Sequence, residues 1–492
     1  MTIGGRPDVH DGRDPAMKRP RIAIASKVTG ALLVVITLLV ILNEWGGLPW
    51  LTAVAIPLIM PVLILLLGAR VRPMRRVFIL VALVLTAAGA LSLPGWWDTV
   101  QRALQTSAFI AAFFAALATL RAAAETSPTI AECGAFLARQ PPGRRYAALT
   151  VGGQLFALLL NYGAIALLGS LAMANAGREA DPEIRAHRAR RMLLAIQRGF
   201  VSVLPWSPLS FAVAITTVLV PGASWTKALV PSLITGAIIA GLGWLMDPVF
   251  KPRLSGPRPA PRPPEGSWSS ALPLLGLLGL LGAAVLILHE LVAVRVPGLV
   301  IVIVPVIALG WVALQVTAGR VRHVAARSRE YVFRELPGYA DELVLLTMAG
   351  YIGTVGAALV VPLVAQSQLD LSILPTALVL VGVVWLIPLA GQVGMNPIMV
   401  VSLLVPLVPS AAEMGITPTA LMIAVTAGWS LGAVCSPFTA TTLLIGSFAG
   451  ITARQVGLRW NGAYLIALGL ILSVWVLAYA GWTAPVPAIA PG

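Results

Sequence analysis

Leu160-Asn161-Tyr162-Gly163 and Gly394-Met395-Asn396-Pro397 each interrupt an apolar stretch. A second interrupted stretch follows each of them, Pro205-Trp206-Ser207-Pro208-Leu209-Ser210 after the first and Cys435-Ser436-Pro437-Phe438-Thr439 after the second. The separations from Asn to Ser are similar, 46 (207−161) and 40 (436−396), and the two copies lie 235 residues apart (396−161). In hydrocarbon every backbone N–H and C=O needs a partner, so a broken helix at membrane depth survives only inside protein or beside a polar cavity. Matching breaks in two halves of a chain therefore point to a solute site built from discontinuous helices.

The surrounding composition is that of a polytopic membrane protein. Of 492 residues 58% are hydrophobic and 11% charged, with a mean hydropathy of +0.90, far too little polar surface for a soluble globule. The net charge of +15 (34−19) sits in short connectors between apolar runs, where membrane topology requires it, so nucleic acid is excluded as a partner. Cys133 and Cys435 have neither disulfide nor metal spacing, and the four histidines are scattered.

Placing each Lys/Arg-rich connector on the cytoplasmic side predicts the topology. Spans fall at 28–45, 50–69, 77–95 and 103–120. The stretch 147–174 has Arg139, Arg144 and Arg145 before it and Arg178, Arg185 and Arg188 after it, so it reads as a hairpin that enters and returns, with Asn161 at its tip. A broken span at 200–220 and a return at 228–246 complete the first half. The second half has spans at 271–292, 298–316 and 343–361, a hairpin at 375–408, a broken span at 420–448 and a last span at 460–482. No Lys or Arg occurs from Glu335 to Ala453, which places the second hairpin as dipping in from outside. The expected fold is all-α, with about eleven transmembrane helices plus two re-entrant hairpins in inverted-topology repeats. The alternative is that each hairpin is an ordinary kinked span. The expected organisation is a cytoplasmic tail (1–27), a first repeat with extra N-terminal spans (28–248), a cytoplasmic Pro-rich linker (249–270), a second, inverted repeat (271–482) and an outer C-terminal tail (483–492). The bilayer expected is the cell inner membrane.

This arrangement resembles the ion transporter superfamily, especially its divalent anion/sodium symporter branch, over essentially the whole chain. That family places Ser-Asn-Thr at both hairpin tips, where the Asn and nearby carbonyls help hold Na⁺ and substrate carboxylates. Only the Asn carries over here, as Asn161 and Asn396; Leu160 and Tyr162 flank the first, Met395 and Pro397 the second. The resemblance implies secondary transport with Na⁺ held at these two tips, and the altered flanks loosen the dicarboxylate assignment. Members with other tips handle citrate, short-chain acids, aminobenzoyl-glutamate or arsenite, some with protons in place of Na⁺.

The residues can also be read directly. A tip bearing Asn beside Gly163 or Pro397 offers amide groups and half-helix termini, whose partial charges suit cations at one end and carboxylates at the other. The plain alternative is interhelical hydrogen-bond glue. Ser207, Ser210, Ser436, Thr439, Thr441 and Thr442 supply hydroxyls on the broken helices, each of which can instead bond its own backbone. Trp206 either walls the cavity or anchors the break, and Cys435 reads as a packing residue. No Lys or Arg lies at either break, which predicts that anion affinity depends on a co-bound cation. Glu44, Asp247 and the pair His289-Glu290 sit near span ends, away from the breaks, which favours coupling through a cation held by neutral oxygens. The function expected is cation-coupled symport of a small organic, carboxylate-type anion, with Na⁺ or H⁺ as coupling ion and no other cofactor. The alternatives are a proton-coupled efflux permease for a metalloid or toxic anion and, in another class, an integral membrane enzyme. The expected partners are that anion and the lipid bilayer, with room for a homodimer.

Overall fold

The computed structural model describes residues 15–249, 267–366 and 373–484. Most of the Pro-rich linker and the last residues of the C-terminal tail lie outside them. The described residues form helices and connecting turns, as a chain in hydrocarbon must when each backbone group is satisfied within its own segment. Ten helices among them are long and apolar enough to cross a bilayer. The remaining crossing of the sequence reading is a helix interrupted at its middle, with a basic first half.

In chain order the first four helices are α1 (Pro15–Glu44), α2 (Pro49–Gly68), α3 (Pro73–Ser92) and α4 (Trp96–Glu125). The short α5 (Pro128–Ala138) leads to the first hairpin, α6 (Pro142–Leu160) and α7 (Tyr162–Ala176). The first broken helix follows as α8 (Pro182–Val201) and α9 (Phe211–Leu219), and α10 (Trp225–Val249) closes this half. The second half has α11 (Leu272–Leu291), α12 (Val296–Leu314), the basic surface helix α13 (Arg320–Glu330) and α14 (Ala340–Gln366). Its hairpin is α15 (Thr376–Gln392) and α16 (Pro397–Leu404), its broken helix α17 (Pro418–Cys435) and α18 (Ala440–Ala449), and its last span α19 (Gly462–Trp482). Two features go beyond the sequence expectation. The helix α1 reaches back to Pro15, into the segment expected to be a tail, and the connectors hold α5 and α13.

Proline begins many of these helices: Pro49, Pro73, Pro128, Pro182 and Pro418 each occupy a first-turn position, where the missing N–H has no intrahelical acceptor to lose. The helix α4 is the hub of one group, packed by α1, α2, α12 and α14. The hairpins and broken helices make the other.

Within that second group the packing is reciprocal. Inside each repeat the first hairpin arm lies along the first half of the broken helix, α6 on α8 and α15 on α17. Glycines permit the close approach: a Cβ at Gly153 would stand 2.8 Å from the Ile196 carbonyl, and one at Gly428 would stand 2.9 Å from that of Val383. Across the repeats the second arm lies against the other repeat's second half-helix, α7 on α18 and α16 on α9.

The two hairpins enter from opposite ends. Asn461, at the start of α19, bonds Arg198 of α8, which also bonds Tyr146 near the base of α6 (3.0 Å). Thr483, at the far end of α19, contacts Thr417 at the start of α17 (3.3 Å), and Thr376 at the base of α15 bonds the Met414 carbonyl (3.0 Å).

Candidate functional site

The first tip is one residue. Asn161 alone separates α6 from α7, with φ +49° and ψ −129°, a region a non-glycine residue rarely occupies. Its N–H donates to Ala157 O (3.0 Å) and its carbonyl accepts from Ala164 N (2.9 Å), while its half-buried side chain makes no capping bond. Tyr162 stacks on Phe200 of α8 at 5.3 Å, tying the tip to the helix just below its break.

The second tip is longer, residues 393–396. Gly394 takes the positive φ of +94°, the Val393 and Met395 N–H groups both bond Ala390 O, and Asn396 stays extended (φ −68°, ψ 139°). Its Oδ1 accepts from Ile398 N at 2.8 Å and so caps α16.

The hydroxyls of the broken segments are engaged mostly within the breaks. Ser207 Oγ accepts from Leu209 N (3.1 Å), and Ser210 caps α9 through Ala212 N (3.1 Å) while donating to Leu204 O (2.8 Å). Ser436 donates to Gly391 O (2.6 Å), fixing the second break to the arm α15. The Ser436 carbonyl receives Thr439 Oγ1 (2.9 Å) and Thr442 Oγ1 (2.6 Å), and Thr441 bonds Ala433 O. These hydroxyls thus satisfy carbonyls that the end of α17 leaves open. Trp206 anchors its break: its carbonyl accepts from Trp225 Nε1 (2.8 Å), and its ring abuts Gly236 of α10. Cys435 is buried, with Gln392 Nε2 at 3.2 Å from its sulfur.

Folding brings a charge to the first tip that the sequence does not place there. Arg121, near the end of α4, would have its Nε 3.4 Å from a Cβ at Gly163. It lines a cavity of about 240 Å³ with Glu125, Leu160, Gly163 and Leu167. The guanidinium bonds Glu125 at 2.8 Å and lies over the Tyr339 ring at 5.2 Å. The cavity therefore offers one cation, one carboxylate and the N-terminal end of α7 to a solute. The expectation that no fixed positive charge stands near either break is corrected at this tip.

The chain is similar over its length to solved membrane proteins. The YdaH transporter of Alcanivorax borkumensis matches with 18% identity and a TM-score of 0.53, over 84% of this chain and 100% of that one. MtrF of Neisseria gonorrhoeae, described within a class of antimetabolite efflux pumps, matches with 13% identity and a TM-score of 0.52, over 86% of this chain and 99% of that one. The likeness is one of fold. No family model and no curated protein matches the sequence.

Within that fold the eight sequence candidates divide by location. Gly163 lines the Arg121 cavity, and Asn161, two residues before it, forms the turn of the tip. Ser207 and Ser210 lie in the first break, and Asn396, Ser436, Thr439 and Thr441 at the second hairpin and break. The acids of the span ends stay there: Glu44 pairs with Arg295 (2.6 Å) and Asp247 with Arg191 (2.8 and 2.5 Å). His289 contacts the Val294 carbonyl (3.3 Å) and Glu290 is exposed.

Proposed function

We propose that the protein is a secondary active transporter of a small organic, carboxylate-type anion, coupled to a cation and built on the ion-transporter plan. The observation carrying this reading is the pair of oppositely inserted hairpins whose second arms cross onto each other's broken helices. Such a unit places two helix interruptions back to back, where rocking or sliding would open them to one side at a time. The bilayer is the cell inner membrane with the basic connectors cytoplasmic.

Arg121 gives the anion a fixed partner, and an incoming carboxylate would compete with Glu125 for its guanidinium. The coupling cation, Na⁺ or H⁺, then offsets the remaining charge around the tips. Binding of the two ligands is cooperative and reciprocal. The fold likeness to a protein described as an efflux pump favours a second reading, in which the same site exports its anion.

Both readings meet one experiment. Purified protein in proteoliposomes, supplied with a panel of organic anions under imposed Na⁺ or H⁺ gradients of either direction, should move at least one anion faster than unloaded controls. Arg121→Gln should weaken that anion's half-saturation roughly tenfold to a hundredfold, the range for a hydrogen bond to a charged group. Equal transport with and without either gradient would overturn coupling, and flux favoured from the basic-connector side would select export.

A further inference from the structure

A second cavity, of about 210 Å³, lies between the middle and last turn of α8, the end of α10 and the start of α19. It is at the end of the molecule that carries the basic connectors. Arg190, Arg191, Arg198 and Arg459 line it, with Asp247 as the one lining carboxylate, giving a side-chain charge of +3 (4−1) with His187 neutral. Asp247 is taken up by Arg191, which grips it with two bonds of 2.8 and 2.5 Å.

The innermost arginine has only neutral partners. Arg198 is 6% exposed. It donates to the Tyr146 hydroxyl (3.0 Å) and to Asn461 Oδ1 (3.2 and 3.3 Å), and its guanidinium lies 4.1 Å from the centre of the Tyr464 ring. A buried guanidinium without a counter-charge is costly, so a bound anion that paired with it would offset that cost. Arg190, which also lines the cavity, lies over the Trp460 ring at 5.5 Å. The local field is positive. Burial, with Arg198 and Arg459 alongside, lowers the Arg190 pKa, and burial with Arg188 and Arg191 nearby brings Arg145, on the adjoining base of α6, down to about 10.

We propose that this cavity binds a phosphate-class anion at the membrane interface. Guanidinium groups match phosphate oxygens in geometry as well as charge. Half-buried Trp460 supplies an amphipathic ring of the kind found at the headgroup level, and the volume suits a phosphate or phosphodiester group. Two sources share this chemistry, the headgroup of an anionic lipid and free inorganic phosphate. The cavity's lining is separate from that of the Arg121 cavity, so the assignment stands apart from the transport reading.

The test uses full-length protein in neutral detergent and follows thermal stability with three added probes: inorganic phosphate, phosphatidylglycerol and phosphatidylcholine. A rise in Tm with phosphatidylglycerol but not with phosphate identifies a lipid headgroup; a rise with phosphate identifies the free ion. Arg190→Gln combined with Arg459→Gln should weaken the apparent affinity roughly fivefold for each arginine removed. The same exchange at Arg320 and Arg322 on α13, a basic helix with no buried residue, should leave it unchanged. If the double variant fails to fold, either single variant should still weaken the affinity roughly fivefold. The proposal is overturned if neither anion raises Tm, if phosphatidylcholine works as well as phosphatidylglycerol, or if the α13 variant weakens binding equally.

Discussion

The two hairpin tips carry the same residue and put it to different use. At the first, Asn161 is itself the turn, in a backbone conformation suited to glycine, with its side chain free of any capping bond. At the second, Gly394 takes the positive φ and Asn396 stands in extended backbone as the cap of α16. A strained residue persists where surrounding structure overdetermines it, and such positions cluster at ligand sites. Sequence symmetry therefore overstates structural symmetry: the first tip has a strained turn with Arg121 beside Gly163, the second a capped helix start.

The sharpest test concerns the opposed entry of the two hairpins. A cysteine in place of exposed Ala186 and one in place of exposed Glu413 should react with an impermeant thiol reagent from opposite faces of sealed vesicles, in an all-or-none pattern. The two native thiols are buried and should add little background. Labelling of both positions from one face would break the inverted arrangement.

Next come the tips themselves. Asn161→Ala should weaken cation or substrate binding by roughly 1–3 kcal/mol, about fivefold to a hundredfold, measured as half-saturation in proteoliposomes. Asn161→Gly separates backbone from side chain. It should match or exceed the parent in Tm, because glycine accepts the turn, yet lose affinity as Ala does. Normal transport by Asn161→Gly would reduce this residue to a turn former.

At the second tip the expected loss is of stability. Asn396→Ala should cost about 1 kcal/mol through the lost cap, and Asn396→Ser should restore most of it, both read from Tm. A loss of affinity in Asn396→Ala that Ser fails to restore would make the two tips functional equals after all.

The smallest difference separates the breaks. Ser436→Ala removes the bond to Gly391 O that joins break to hairpin, whereas Ser207→Ala removes only a bond within its own turn. The first should lower stability by about 1 kcal/mol and the second by less. Equal effects would show the inter-element bond to be dispensable.

Much of the fold was legible because the bilayer restricts the choices. Apolar run length marks the spans, and the arginines from Arg139 to Arg188 on both sides of one run mark its return. The breaks at Pro205–Pro208 and Ser436–Pro437 fall between half-helices, as proline and local hydroxyls dictate. The site was less legible. Arg121 follows an apolar stretch and reads as an ordinary span end; only the packing of α4 against α6 brings it to Gly163. Arg198 reads in the sequence as one more charge in a basic run; in the fold it is buried and bonded to Asn461, 263 residues away. The difference between Asn161 and Asn396 lies in backbone angles, which depend on how many residues each turn has available.

The crossing of hairpin arms onto the opposite repeat has a consequence for biosynthesis. The arm α7 ends at Ala176, but its partner α18 is complete only at Ala449, 273 residues later (449−176). At roughly 5–20 residues per second the ribosome needs on the order of 14–55 s to cover that distance. During this interval the first hairpin stands in the membrane with one flank unmet by protein, and Gly169, the close-contact point for the Phe448 ring, has nothing to receive. Synthesis of the second half is thus also the last folding step of the first, and a nascent chain stalled between the two repeats would present that open flank to the insertion and quality-control machinery.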